Sequence, residues 1–129
     1  MKAYDSIFLL VAGFAIWIIG TIYYGLRGPA VLETTSLRYW INFILSPVLS
    51  AGICILLLRF RHIPASAWAV ATLLLALPGM FGEAVLLSRF STFMPRLQPA
   101  SAGRYGAFLF AAYALVLSIA EVVTLKATR

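Results

Sequence analysis

Four long, mostly apolar stretches dominate this sequence. They occupy residues 6–26, 39–58, 65–88 and 103–124, and about 20 such residues are enough to cross the hydrocarbon core of a bilayer as a helix. Hydrophobic residues make up 63% of the chain and charged residues 11%, whereas a typical soluble domain is about half apolar and about a quarter charged. A soluble chain of 129 residues could not bury so much apolar surface. The sequence therefore predicts an all-α integral membrane protein with a single domain, residues 1–129.

The connections between these stretches are short, so consecutive spans must cross the membrane in opposite directions. Loop one covers residues 27–38 and opens with the turn pair Gly28-Pro29, loop two covers residues 59–64, and loop three covers residues 89–102. The predicted architecture is an up-down-up-down four-helix bundle.

The ten Lys and Arg residues, which give a net charge of +6, lie mostly at the predicted span ends. There they contact lipid phosphates and set topology, so we expect membrane lipid as a partner and no nucleic acid. Lys2, Arg59, Arg61, Lys126 and Arg129 lie on one side of the membrane, and Arg27, Arg38, Arg89, Arg96 and Arg104 on the other. Each side thus carries five Lys and Arg residues, and two orientations in the membrane stay open. Either the termini lie in the cytoplasm, which the compact basic loop two favours, or the chain inserts both ways and forms an antiparallel dimer.

The sequence lacks the residues that several kinds of site require. Cys54 is the single cysteine and His62 the single histidine, so the chain can form neither an internal disulfide nor a bis-histidine haem site, and a zinc site lacks ligands. We expect no cofactor and no metal. A lipid-modifying enzyme would need a nucleophile, base or metal constellation, so the sequence favours a protein without catalytic residues.

The segment around Glu83 is the sharpest candidate for a functional site. Pro78, Gly79 and Gly82 precede this acid within an apolar span, and a charge inside a membrane span is costly enough to require a reason. Pro78 removes a backbone hydrogen bond, so these three residues predict a helix break. Helical periodicity places Glu83 on the small-residue face of its span, pointing into the bundle.

Other polar residues on the same side of the membrane could reach Glu83. Asn42 and Tyr24 would supply hydrogen bonds, and Arg38 or Arg104 a counter-charge. Two interpretations stay open: a structural ion pair between Glu83 and an arginine, or a polar binding pocket that opens toward loops one and three.

Stripes of small and polar residues mark the predicted helix contacts. The second span carries Asn42, Ser46, Ser50 and Cys54, and the fourth carries Gly103, Ala107, Ala111, Ala114, Ser118 and Glu121. We expect both stripes to face the inside of the bundle.

Three short patterns resemble a family of uncharacterised four-span bacterial membrane proteins. They are residues 13–17 (Gly-Phe-Ala-Ile-Trp), residues 78–80 (Pro-Gly-Met), and the fourth span around Gly106 and Tyr113. The resemblance covers most of the chain and implies a four-span fold and a multi-pass location in the bacterial inner membrane. It implies no activity.

Two functions therefore compete at the level of sequence. The first is binding or transport of a small solute or ion through a polar pocket around Glu83. The second is a non-catalytic membrane component that packs against a larger partner or against other copies of itself.

Overall fold

The computed structural model describes residues 2–129, which form four long helices and short connections. The long helices are α1 (Ala3–Leu32), α2 (Ser36–Phe60), α3 (Trp68–Ser88) and α5 (Ala102–Ala127). Between α3 and α5 lies the short helix α4 (Phe90–Phe93), and single 3-10 turns at Ala65–Ala67 and Pro99–Ser101 lead into α3 and α5. All four long helices, with these turns counted as part of α3 and α5, are long and apolar enough to cross a membrane. The all-α, four-span prediction is confirmed.

The helices pack in a different order from their order in the chain. α1 packs most extensively on α3, α3 on α5, and α5 on α2, whereas α1 and α2 contact each other much less. Gly13 makes the first of these contacts close, because a β-carbon at this position would overlap the backbone of Leu75. Small residues allow such close approach of helices in lipid, where packing replaces the hydrophobic effect.

The first loop is shorter than the sequence suggests. The predicted turn at Gly28-Pro29 is wrong: α1 continues through both residues to Leu32, and Thr35 then caps α2 by accepting a hydrogen bond from the backbone of Arg38 at 3.1 Å. The reason lies in tertiary packing. Gly28 leaves space for Leu97 of loop three, whose side chain would lie 2.9 Å from a β-carbon there.

Loop three closes one end of the bundle, which we call the loop end. Phe90, Met94 and Leu97 are buried with Leu32 and Tyr105 in one hydrophobic cluster. An apolar cluster of this kind excludes water from the helix ends beneath it.

Hydrogen bonds stabilise the loop end. Glu33 Oε2 accepts hydrogen bonds from the backbone N–H of Gln98, at 2.8 Å, and from the hydroxyl of Ser101. Arg104 Nη1 donates to the carbonyl of Leu32 at 3.1 Å. These contacts join the end of α1 to loop three and to the start of α5.

A second set of contacts closes the opposite end, the terminal end, where α1 begins and α5 ends. Leu9 and Leu58 are buried there in a second hydrophobic cluster. Arg61 Nη2 lies 2.7 Å from Asp5 Oδ1, the one ion pair between residues that the structure describes. Glu121, by contrast, is exposed on α5. The ion-pair partner of Arg61 is therefore Asp5.

Candidate functional site

A cavity of about 160 Å³ lies in the middle of the bundle, between the two hydrophobic clusters. All four long helices contribute to its walls, and most of the lining is apolar. The polar side chains that border it come from α1, α2, α3 and α5; they are Trp17, Thr21, Tyr24, Ser46, Ser50, Glu83, Tyr105 and Tyr113. We call this cavity the cleft.

Glu83 is the acid of the cleft and is almost completely buried, with 7% of its surface exposed. Its Oε1 accepts a hydrogen bond from the indole Nε1 of Trp17 at 2.9 Å. Its Oε2 is also buried, and within residues 2–129 it has no hydrogen-bond partner. A buried polar atom without a partner is costly and calls for an explanation. Here the free oxygen belongs to a residue that lines the cleft.

The glycines beside Glu83 hold space for two aromatic side chains. A β-carbon at Gly82 would lie 2.5 Å from the indole ring of Trp17, and one at Gly79 would overlap the hydroxyl of Tyr113. A larger residue at either position would displace one of these rings from its place in the wall of the cleft. The motif therefore shapes the site by packing.

The predicted helix break is absent, since α3 runs without interruption from Trp68 to Ser88 and includes Pro78. A proline removes one backbone hydrogen bond, and transmembrane helices tolerate that loss where neighbouring helices support them. α1 and α5 both pack on α3, and they supply that support.

Tyr24 and Asn42, which the sequence offers as hydrogen-bonding groups for Glu83, bond each other in a small polar cluster at the loop side of the cleft. The Tyr24 hydroxyl lies 2.7 Å from Asn42 Oδ1 and 3.4 Å from Ser46 Oγ. Tyr24 and Ser46 border the cleft, while Asn42 lies behind them, and its Nδ2 is buried without a partner in the described chain. The cluster orients the tyrosine ring against the cleft.

The two arginines of the predicted site bond elsewhere. Arg104 donates to the carbonyl of Leu32 and lies over the ring of Tyr39, with 5.4 Å between the guanidinium carbon and the ring centre. Arg38 Nη1 donates to the carbonyl of Ala30 at 3.4 Å. Both bind carbonyls of the last turn of α1, which carry partial negative charge. The contact that the structure gives to Glu83 is the neutral indole of Trp17.

The cleft opens sideways, between α1 and α2. The lining residues from α3 and α5 are almost all buried, and so are Gly13 and Tyr24 of α1. The other lining residues of α1 and α2 are half-buried or exposed; Ile16 and Ile53 are 38% and 44% exposed. These two helices are also neighbours that contact each other little. The loop end, through which the sequence suggested access, is covered by the cluster around Met94. If the four helices span a bilayer, an opening midway along them faces the acyl chains.

The small-residue stripes differ in where they face. Ser46, Ser50 and Cys54 line the cleft, so the stripe of the second span faces inward as predicted. In the fourth span the prediction is wrong, because most of the stripe lies on the exposed face of α5: Gly103, Ala107, Ala114, Ser118 and Glu121. The buried face of α5 carries larger residues instead, among them Tyr105 and Phe108.

Sequence reasoning missed the partner of Glu83. Trp17 lies one helical turn beyond Gly13 on the face of α1 that meets α3, which is the signal that could have identified it. Tyr113 lies in a span whose predicted inner face was the wrong one, so its place beside Gly79 could not be inferred.

Comparison with known proteins gives one finding. The sequence profile of a family of unknown function, DUF5367, matches residues 31–127, which bears out the resemblance to an uncharacterised four-span family. Glu83 lies within the matched range and Trp17 precedes it. Searches of curated proteins and of solved structures return no significant match.

Proposed function

Since the chain belongs to the DUF5367 family of unknown function, we propose a function from its own geometry: it binds a small solute in the cleft, with Glu83 as the polar anchor. The observation that carries the proposal is the free Oε2 of Glu83, buried in the wall of the cleft. A mostly apolar cavity with a few convergent polar groups is the usual form of a small-molecule site.

The shape of the cleft supports entry from the bilayer. Both ends of the bundle are covered by hydrophobic clusters, and the exposed rim lies between α1 and α2. Transport across the membrane would also require one of those clusters to open. Binding is therefore the activity proposed.

The four helical spans suit the bacterial inner membrane better than the outer membrane, where β-barrels predominate.

Two glycines provide a matched test of entry. Gly20 borders the cleft, Gly52 is exposed on α2 away from it, and a β-carbon at either would meet no described atom within 4 Å. Leucine at Gly20 should fill the opening, whereas leucine at Gly52 should extend harmlessly into lipid.

The readout is the fluorescence of Trp17 in a W40F/W68F background, in which it is the one remaining tryptophan. Benzyl alcohol, benzylamine and benzoate serve as probes in nanodiscs. We expect at least one to change the emission saturably, G20L to abolish the change, and G52L to preserve it. Failure of all three probes with the G52L and parent proteins would contradict the proposal, as would equal binding by G20L.

A second candidate function rests on the outer face of α5. Gly103, Ala107, Ala114 and Ser118 are exposed there, although small residues in membrane helices usually mark contacts between helices. This face would suit a second copy of the chain or a larger membrane partner. Single-molecule photobleaching in bilayers tests self-association: dimers that A114L disrupts would favour this function, and monomers at every dilution would count against the homo-oligomer.

A further inference from the structure

We propose that the solute is a small amphiphilic amine, a ring or short alkyl chain that carries an ammonium group with at least one N–H. This inference rests on the proposed binding function and specifies the chemistry of the ligand. Three properties of the cleft carry it: the unpaired acceptor of Glu83, the aromatic rings around it, and the size and polarity of the walls.

Charge complementarity comes first. Glu83 Oε2 is a buried acceptor with no hydrogen-bond partner within residues 2–129, and the neighbouring Oε1 is bonded to a neutral indole. The two arginines that the sequence offers as counter-charges, Arg38 and Arg104, donate instead to carbonyls of α1. A carboxylate in this position is stabilised by a cation that also donates a hydrogen bond. An ammonium group with an N–H meets both needs, whereas an anion meets neither.

Aromatic rings make the surroundings suitable for a cation. Trp17, Tyr24, Tyr105, Phe108 and Tyr113 all border the cleft. The negative faces of such rings attract ammonium groups, and the attraction grows when the cation is removed from water. An aromatic wall beside a carboxylate thus selects a positively charged group more strongly than an apolar wall would.

The rest of the cleft suits a hydrocarbon group. Its volume is about 160 Å³, and an engineered protein cavity of about 150 Å³ binds benzene. Leu75, Val116 and Ile16 are among its apolar lining residues. The lateral opening meets the acyl chains, where an amphiphilic amine concentrates because its hydrocarbon part partitions into the membrane. The ligand can therefore reach Glu83 without crossing either closed end of the bundle.

The test compares probes that share a benzyl group and differ in charge and in N–H donors. Benzylamine, benzyl alcohol, benzoate and benzyltrimethylammonium are titrated against Trp17 fluorescence in the W40F/W68F protein and in the same protein with Glu83→Gln. Since hydrogen bonds to charged groups are the stronger ones, benzylamine should bind about tenfold or more tightly than benzyl alcohol. It should also bind more tightly than the trimethylated cation, which lacks an N–H.

Glu83→Gln should remove the preference for the amine, so that benzylamine and benzyl alcohol bind with similar affinities. Equal binding of amine and alcohol by the parent protein would overturn the inference while leaving solute binding intact. Stronger binding of benzoate would overturn it as well. Binding of none of the probes would instead contradict the proposed function itself. If Glu83→Gln does not fold, the comparison of amine, alcohol and trimethylated cation in the parent protein decides.

Discussion

The carboxylates of the loop end and of the cleft differ in their hydrogen bonding. At the loop end, Glu33 accepts two hydrogen bonds and so joins α1 to loop three. In the cleft, Glu83 is more deeply buried, yet only one of its oxygens has a hydrogen-bond partner among residues 2–129. A carboxylate that accepts hydrogen bonds from two elements stabilises a fold, whereas a buried carboxylate oxygen without a hydrogen-bond partner costs stability. The contrast indicates that Glu33 serves the structure and that Glu83 is available to a ligand.

The largest expected effect on stability comes from the wall of the cleft. Gly13→Ala places a methyl group against the backbone of Leu75 and should force α1 away from α3, at a cost of about 1–3 kcal/mol or more. Gly20→Ala is the matched control on the same helix, because its β-carbon meets no described atom. It should be neutral or slightly stabilising, since alanine is the better helix former by about 1 kcal/mol.

Denaturant titration in detergent, followed by circular dichroism, measures both variants. Equal stability of the two alanine variants would mean that α1 and α3 are not held closely at Gly13. The cleft would then lack the fixed wall on which its volume depends.

An intermediate effect is expected at the loop end. Glu33→Ala removes the acceptor of Gln98 and Ser101. Because the bond to Gln98 is exposed to water, we expect a loss of about 1 kcal/mol, the usual net contribution of a hydrogen bond. Glu33→Gln keeps an acceptor oxygen and should lose less. Limited proteolysis within residues 89–101 gives a local readout, because cleavage there should accelerate in the alanine variant. Unchanged cleavage would show that the hydrophobic cluster alone holds loop three, and the contrast with Glu83 would weaken.

Sequence patterns predicted the parts of this molecule that depend on local properties. Apolar length indicated four spans, and helical periodicity placed Glu83 inside the bundle, because hydrophobicity and the 3.6-residue repeat act along a single helix. The end of α1 was not predictable, since contact with Leu97 overrides the turn preference of Gly28-Pro29. The partners of Arg38 and Arg104 were not predictable either, because both donate to backbone carbonyls that no spacing rule identifies.

Some of the residues at the cleft were singled out from the sequence. Glu83, Tyr24 and Asn42 lie at or beside the cleft, and the structure adds Trp17 as the bonded partner across 66 positions of sequence. Such a pairing depends on which helices become neighbours. The packing order, with α1 on α3 and not chiefly on α2, follows from close fits such as that of Gly13, which composition does not reveal.

The most direct test of the role of Glu83 is the unfolding of Glu83→Gln with and without benzylamine. Glutamine can still accept the Trp17 N–H and removes a buried acid, so without ligand this variant should be as stable as the parent within about 0.5 kcal/mol, or more stable. Benzylamine should stabilise the parent as a ligand of the folded state and leave the variant unchanged. A loss of more than about 2 kcal/mol in the ligand-free variant, with equal stabilisation of both proteins by benzylamine, would contradict the account and make Glu83 a structural residue.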